Sequence, residues 1–469
     1  MTTTQNFIAC DRDQDLLLPP SLKDWLPNDH LAWFVLDAVD ELDLSDFYAS
    51  YRADGWGGAA HDPKMMVALF IYAYSIGVRS ARQIERRCTE DVAFRVICAG
   101  QAPDHATIAR FLKRHEQAIA ELFGGVLELC ARSGLVNVGV VAVDGTKIAA
   151  SATHHANRSY QQIAEEILKE AAEIDAYEDE LYGEARGDEL PEGFRTSTER
   201  RQRFREAKQA LEEERKANPK PVPRDRQKRL GECKKRLEED LKLERRVAEE
   251  HEAWRERGIA KDGSRRMTGH NIKPRPLPTE PTGKINVTDP DSRNLKTTRG
   301  FVQGYNAQAV VTEDQIVIAA DISTESLDTA NLEPMVEEAC AALEAAGVTD
   351  KPGVVLADAG YWKNDAIEAI VERGIQTLVA PDADARKEPR PGRRGGLYDF
   401  VRQVLATDWG KQLYLRRQGS VESVFGQIKA NRGVRRFQRR GRLAVLSEWR
   451  LLTATHNLLK LHQHRLAAA

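Results

Sequence analysis

Three acids stand out by type and position. Asp144 closes the apolar run Val138-Gly-Val-Val-Ala-Val and is followed by Gly145. Asp358 closes a second run, Gly353-Val-Val-Leu-Ala, with Gly360 two residues on. Glu422 lies in a basic helical stretch that runs from Tyr414 through Arg417 to Lys429. Short apolar, β-branched runs read as buried strands, and an acid at a strand's carboxyl end sits where α/β sheets present ligands. Carboxylates gathered in one place repel one another unless a cation binds them or some stay protonated. Oxygen ligands without a histidine cage favour Mg²⁺, with Mn²⁺ able to substitute. Two such ions about 3.5–4 Å apart activate the attacking oxygen and stabilise the leaving oxygen in a phosphodiester displacement. Asp144, Asp358 and Glu422 are therefore the expected catalytic and metal-holding set.

The neighbours of Glu422 suit that chemistry. On a helix of about 3.6 residues per turn, Lys429 returns to the Glu422 face after two turns. Arg417 falls on a less exact angle and reads as preceding or starting the helix. Both are candidates for holding phosphates, and Tyr414 for stacking on a base or bonding a phosphate. Lys147, three residues after Asp144, reads equally as a phosphate contact or a solvated lysine. Tyr305, Asn306 and Gln308 either line the cleft or satisfy backbone groups. Asp289 and Asp291 flank Pro290 and read as turn-formers, with a place beside the metal site as the alternative.

Charge is unevenly spread. The chain carries a formal net charge of −3, yet residues 386–442 hold sixteen Lys or Arg against four acids, a net of +12. A basic block in a near-neutral chain marks a polyanion partner such as DNA, or a solvated face. Arg435, Arg436, Arg439 and Arg440 are its densest part and the expected DNA contacts.

The elements that must position these residues follow from pattern. Residues 1–133 read as short helices between tight turns, with outward arginines, an arrangement that suits a helix-turn-helix reader of DNA. Residues 134–159 and 267–469 alternate strands and helices. A hairpin is expected around Glu313-Asp314, and a short strand at Lys284–Thr288. His154-His155 reads as two oppositely pointing strand residues. Residues 160–266 form a charged helical or coiled-coil insertion. Its apolar stripes are Ile163 to Leu181, Phe204 to Leu211 after a Thr196–Glu199 capping box, and Leu230-Cys233-Leu237-Leu241. The expected fold is α/β, a mixed sheet with helices on its faces, preceded by a helical domain and interrupted by this insertion. Six scattered cysteines without a Cys-x-x-Cys pair argue against structural zinc and disulfides. No apolar run reaches about 18 residues and no export signal opens the chain, so a cytoplasmic, nucleoid-associated protein with no membrane partner is expected.

Several segments together resemble a known family. They are Leu17-Leu-Pro-Pro-Ser-Leu, Gly77-Val-Arg-Ser-Ala-Arg-Gln-Ile-Glu, Pro103-Asp-His-Ala-Thr-Ile-Ala-Arg-Phe, Val143-Asp-Gly-Thr-Lys, Thr288-Asp-Pro-Asp-Ser-Arg, Gly304-Tyr-Asn-Ala-Gln, Ala357-Asp-Ala-Gly-Tyr and Val421-Glu-Ser-Val-Phe-Gly-Gln-Ile-Lys. From about Asp11 to Lys460 the chain is similar to bacterial insertion-sequence transposases of the DDE class. Within the insertion sequence 4/5 superfamily it resembles the insertion sequence 1182-like branch, with its long helical insertion. The resemblance implies a ribonuclease-H-like core and maps the family's three acids onto Asp144, Asp358 and Glu422. It implies two Mg²⁺ ions, terminal-repeat and target DNA as partners, and a homodimer or higher oligomer on DNA. The superfamily's Tyr-Arg-Glu-Lys signature falls on Tyr414, Arg417, Glu422 and Lys429. One departure concerns Arg417: four residues separate it from Glu422, where the wider pattern has three. The rival expectations are a ribonuclease-H-like nuclease without strand transfer and a catalytically idle DNA-binding descendant.

Overall fold

The computed structural model of the protein describes residues 7–8, 21–54, 58–170, 226–257, 274–297, 300–324, 328–382 and 395–468. The chain divides into two compact units, residues 1–151 with 293–469, and residues 152–292. No helix among the described residues is long and apolar enough to cross a membrane.

The first unit opens with helices α1 (Leu31–Asp40), α2 (Pro63–Ser75), α3 (Ala81–Glu90), α4 (His105–Arg114) and α5 (Glu116–Arg132). Local chemistry sets their starts. Asp62 accepts from the Lys64 amide and Pro63 takes the first helical position of α2; Asp104 accepts from the Thr107 amide at 2.7 Å to start α4. Helix α2 is buried from Met65 to Ser75, with Phe70 stacked on Phe111 of α4.

The sheet follows: β1 (Val140–Ala149), β2 (Arg293–Thr297), β3 (Gly300–Thr312), β4 (Val317–Ser323), β5 (Val354–Ala357) and β6 (Gln376–Val379). Its order is β6-β5-β1-β3-β2, with β4 also paired to β3. β5 runs parallel to β1 and β6 parallel to β5, whereas β3 is antiparallel to β1, β2 and β4. The sheet is thus mixed, as expected, and consistent with a ribonuclease-H-like core. The expected hairpin joins β3 to β4. The edge strand β2 is an addition to the expected elements, since Arg-Asn-Leu-Lys-Thr buries only Leu295 fully.

Helices α6 (Leu332–Ala345), α7 (Asn364–Glu372), α8 (Gly396–Ala406), α9 (Asp408–Arg417) and α10 (Arg442–Ala468) complete the unit. α10 is tied to the β3–β4 hairpin by polar side chains in a dry interior. Trp449 Nε1 donates to Gln308 O at 2.9 Å. Asn457 exchanges two 2.8 Å hydrogen bonds with the Val317 backbone, and a His456 ring nitrogen lies 2.8 Å from Gln315 O. Buried groups so paired avoid the penalty of an unmet polar atom.

In the second unit, a helix over residues 160–170 and the long helix Arg226–Arg257 share a core of Ile163, Leu230, Cys233, Leu237 and Ile285. The Leu230-Cys233-Leu237 stripe is buried as its spacing requires. Two expectations are corrected here. The strand at Lys284–Thr288 shrinks to Ile285–Asn286, which pairs with Asn157–Arg158 and not with the main sheet. His154 and His155 sit in a tight 3₁₀ turn, not a strand. Asp291 lies in its expected turn and also pairs with Arg236. The Thr196–Glu199 capping box, the stripe from Ile174 to Leu181, the stripe from Phe204 to Leu211 and residues 383–394 lie outside the described residues.

Candidate active site

Strand register brings the two aspartates side by side. Val143 of β1 pairs with Ala357, the last residue of β5. Asp144 and Asp358 each come one residue later, on strands that lie about 4.8 Å apart. Before this point β1 is buried; from Asp144 to Lys147 it is half-buried, so the acid stands where the strand emerges. Asp358 leaves the strand and accepts from the Gly360 amide at 2.8 Å, capping a short 3₁₀ turn at Ala359–Tyr361.

Arg417, the last residue of α9, reaches both Asp144 and the third acid. One guanidinium nitrogen lies 3.0 Å from Asp144 Oδ2 and the other 3.0 Å from Glu422 Oε1. Its side chain is 8% exposed and Asp144 17%, whereas Glu422 is 47% exposed. Its charge also acts on Asp358. The structure therefore joins Asp144 and Glu422 through Arg417, with Asp358 at the neighbouring strand end beside Asp144. It does not bring them together as ligands of a shared point: among the described residues no three His, Cys, Asp or Glu side chains form a ready-made metal group.

The helix carrying Glu422 departs from regular α geometry. From α9 the chain passes without a break through a π-helical turn, Gln418–Glu422, an α-turn, Ser423–Gly426, and a second π-helical turn, Gln427–Asn431. Arg417 thus ends one helical segment and abuts the next, where its angle suggests a helix start. The Lys429 ammonium donates to Thr146 Oγ1 and, at 3.0 Å, to Lys147 O, so it docks on β1 just past Asp144. Lys147 in turn donates to Lys296 O at 2.7 Å. Tyr414 lies under the Arg417 guanidinium, 5.7 Å from ring centre to guanidinium carbon.

A fourth acid, Asp328, carries no signal in the sequence. It lies between β4 and α6, with no apolar run to flag it. Asn306 Nδ2 and Gln308 Nε2, neighbours on one face of β3, donate to its Oδ1 at 2.7 and 2.9 Å. Tyr361 Oη donates to Gln308 Oε1. Asn306 and Gln308 therefore line the site, while Tyr305 packs into the core against Phe437.

Burial is the main electrostatic force here. It pushes the Asp144 carboxyl up to about 7, with Asp358 and Asp328 adding repulsion and Arg417 and the Gly145 amide opposing. Burial likewise raises Asp358, against the Gly360 amide and Arg417. It also lowers Lys429, partly offset by Asp144. Mutually repelling, poorly solvated carboxylates with only oxygen to offer are a donor set that a hard divalent cation fits.

Of the expected DNA contacts, Arg435, Arg436 and Arg440 are exposed. Arg440 also donates to Ser151 O at 2.8 Å. Arg439 is committed inward, pairing with Glu116 at 2.7 Å. The loop they share is pinned by Glu448, which is buried, pairs with Arg79 at 2.9 Å and accepts from the Gln438 and Arg439 amides.

Residues 20–114 match the family described as Transposase domain (DUF772), and residues 276–458 match the Transposase DDE domain. The DDE domain spans Asp328, Asp358, Arg417, Glu422 and Lys429; Asp144 precedes it, on β1 of the first unit. DDE transposases generally use a divalent metal and act on DNA. No curated protein and no solved structure matches the chain.

Proposed function

We propose that the protein is a DNA transposase that cleaves the ends of an insertion sequence and joins the freed 3′ ends to target DNA. Asp144, Asp358 and Glu422 are its metal-holding acids. The observations that support this reading are the pairing of Arg417 with Asp144 and Glu422 and the adjoining strand ends of Asp144 and Asp358, in a chain that matches the DDE domain. Two Mg²⁺ ions, or Mn²⁺, would supply charge neutralisation and an activated oxygen. In the first step a water oxygen bonds to the phosphorus at the element end and the 3′ oxygen leaves. In the second that 3′ oxygen bonds to a target phosphorus and a target 3′ oxygen leaves. Arg417 would hold a phosphate beside Asp144 once a metal takes over the acids it now pairs with. Lys429 holds β1 in place below it. Arg435, Arg436 and Arg440 present an exposed basic surface, and the N-terminal helices are the candidate end-reading element. Action on two ends calls for a homodimer or higher oligomer on DNA in the bacterial nucleoid. The family place proposed is the insertion sequence 1182-like branch of the insertion sequence 4/5 superfamily.

The test is nicking and strand transfer on a labelled end fragment, taken from the terminal repeats flanking the gene, in Mg²⁺ and in Mn²⁺. Glu422→Gln, Asp144→Asn and Asp358→Asn should each bind the fragment and lose several orders of magnitude in both steps. Near-normal cleavage by Glu422→Gln in Mg²⁺ removes the glutamate from the metal set. Cleavage without joining by the wild type makes the protein a nuclease.

A further inference from the structure

Asp328 is held in the site by more bonds than a turn residue needs. Both amide donations converge on Oδ1, and among the described residues no hydrogen-bond donor reaches Oδ2. The donors are themselves fixed: Asn306 and Gln308 are buried on β3, and buried Tyr361 holds the far end of Gln308. Gly145, which follows Asp144, leaves room for this carboxylate, and Gly360 lies within contact distance of it. A Cβ at Gly145 would collide with Gln308 Nε2 and come within 2.9 Å of Asp328 Oδ1; a Cβ at Gly360 would lie 3.6 Å from Asp328 Oδ2. The Asp328 carboxylate thus stands between the residues next to Asp144 and those next to Asp358, its charge felt by both.

We propose that Asp328 is a positioning residue of the active site, a fourth carboxylate clamped by Asn306 and Gln308 that tightens the hold of Asp144 and Asp358 on the divalent cation. The inference rests on the transposase reading above. A carboxylate held against two others makes the cation-free site less favourable through repulsion, and that repulsion turns to attraction when a doubly charged ion enters. Groups that act on a metal through its ligands commonly change affinity by about 10–100-fold when altered. A purely structural Asp328 would do the opposite: losing its charge would weaken the clamp and leave the ion's affinity alone.

The experiment uses the full chain with end DNA, and follows Mn²⁺ binding by electron paramagnetic resonance and thermal melting in chelator. Asp328→Asn keeps the Oδ1 acceptor, and Asp328→Ser removes the carboxylate by a different route. The expected result is Mn²⁺ binding weakened about 10–100-fold in both variants. Melting of Asp328→Asn without metal should be unchanged or raised, and end-DNA binding unchanged. Wild-type Mn²⁺ affinity in both variants overturns the proposal, as does a weakening of affinity that comes only with a lowered metal-free melting temperature. A wild type that binds no Mn²⁺ overturns the transposase reading and this inference with it; equal binding by wild type and variants overturns only the role of Asp328.

Discussion

Arg417 and Glu422 are five residues apart in sequence, yet their side chains meet at 3.0 Å. On an α-helix a fifth neighbour points about 140° away from the first. The π-helical turn at Gln418–Glu422 widens the helix by one residue and brings the pair onto one face. The departure from the three-residue spacing of the wider signature is thereby absorbed in the backbone.

If the turn holds one extra residue, removing it should be tolerated. Deleting Gly419, which is exposed and without side chain, should close the π-turn to an α-turn and leave the Arg417–Glu422 contact in place. The deletion protein should keep helical circular dichroism and cooperative melting. A deletion in the α-turn that follows, such as Ser423, should rotate everything beyond it and cost far more stability.

Arg417 sits between acids that repel one another. Arg417→Ala should destabilise the metal-free protein by about 3–5 kcal/mol, the usual cost of leaving a buried charge without its partner. Adding Asp144→Asn should recover part of that loss, which a urea double-mutant cycle would read as coupling. Additive losses would mean that the ion pair contributes nothing.

The exposed and inward arginines should separate by assay. Replacing Arg435, Arg436 and Arg440 with alanine should flatten the salt dependence of DNA binding by about 0.9 for each phosphate no longer neutralised. Arg439→Ala should leave that slope nearly unchanged and lower the melting temperature, because its partner Glu116 is three-quarters buried. An unchanged slope in the triple variant would mark the block as a solvated face.

Acid should loosen α10. Burial, with help from Arg432, lowers the His456 pKa from 6.5 to about 3. The unfolded chain therefore takes up a proton near pH 6.5 that the folded one refuses until about pH 3. The stability tied to neutral His456 is present above pH 6.5 and is lost as pH falls through that window. Between pH 7 and pH 5 this group should cost about 2 kcal/mol. Urea midpoints at the two pH values should show a smaller difference in His456→Gln than in wild type; equal differences would place the acid sensitivity elsewhere.

What is legible in the sequence follows physical lines. The apolar runs ending in Asp144 and Asp358 announce two buried strands, because burial on both faces demands continuous apolar residues. The hairpin turn is equally plain, since it depends on neighbours in the chain. Edge strand β2 is hidden because an edge carries polar residues. Asp328 is hidden because its partners, Asn306 and Gln308, come from a different strand.

β1 pairs with β3 and β5, and neither exists until more than 150 further residues have been made. During synthesis Asp144 leaves the ribosome on a strand whose neighbours are still unwritten. By contrast, the core of the second unit closes on residues that all precede β3. The order of assembly is therefore inverted relative to the order of the chain: the inserted unit can settle first, and the sheet that carries the acids closes late. Such long-range closure is slow. A chain stopped before Val354 would lack β5 and Asp358, so unfinished copies of this protein would lack an assembled active site.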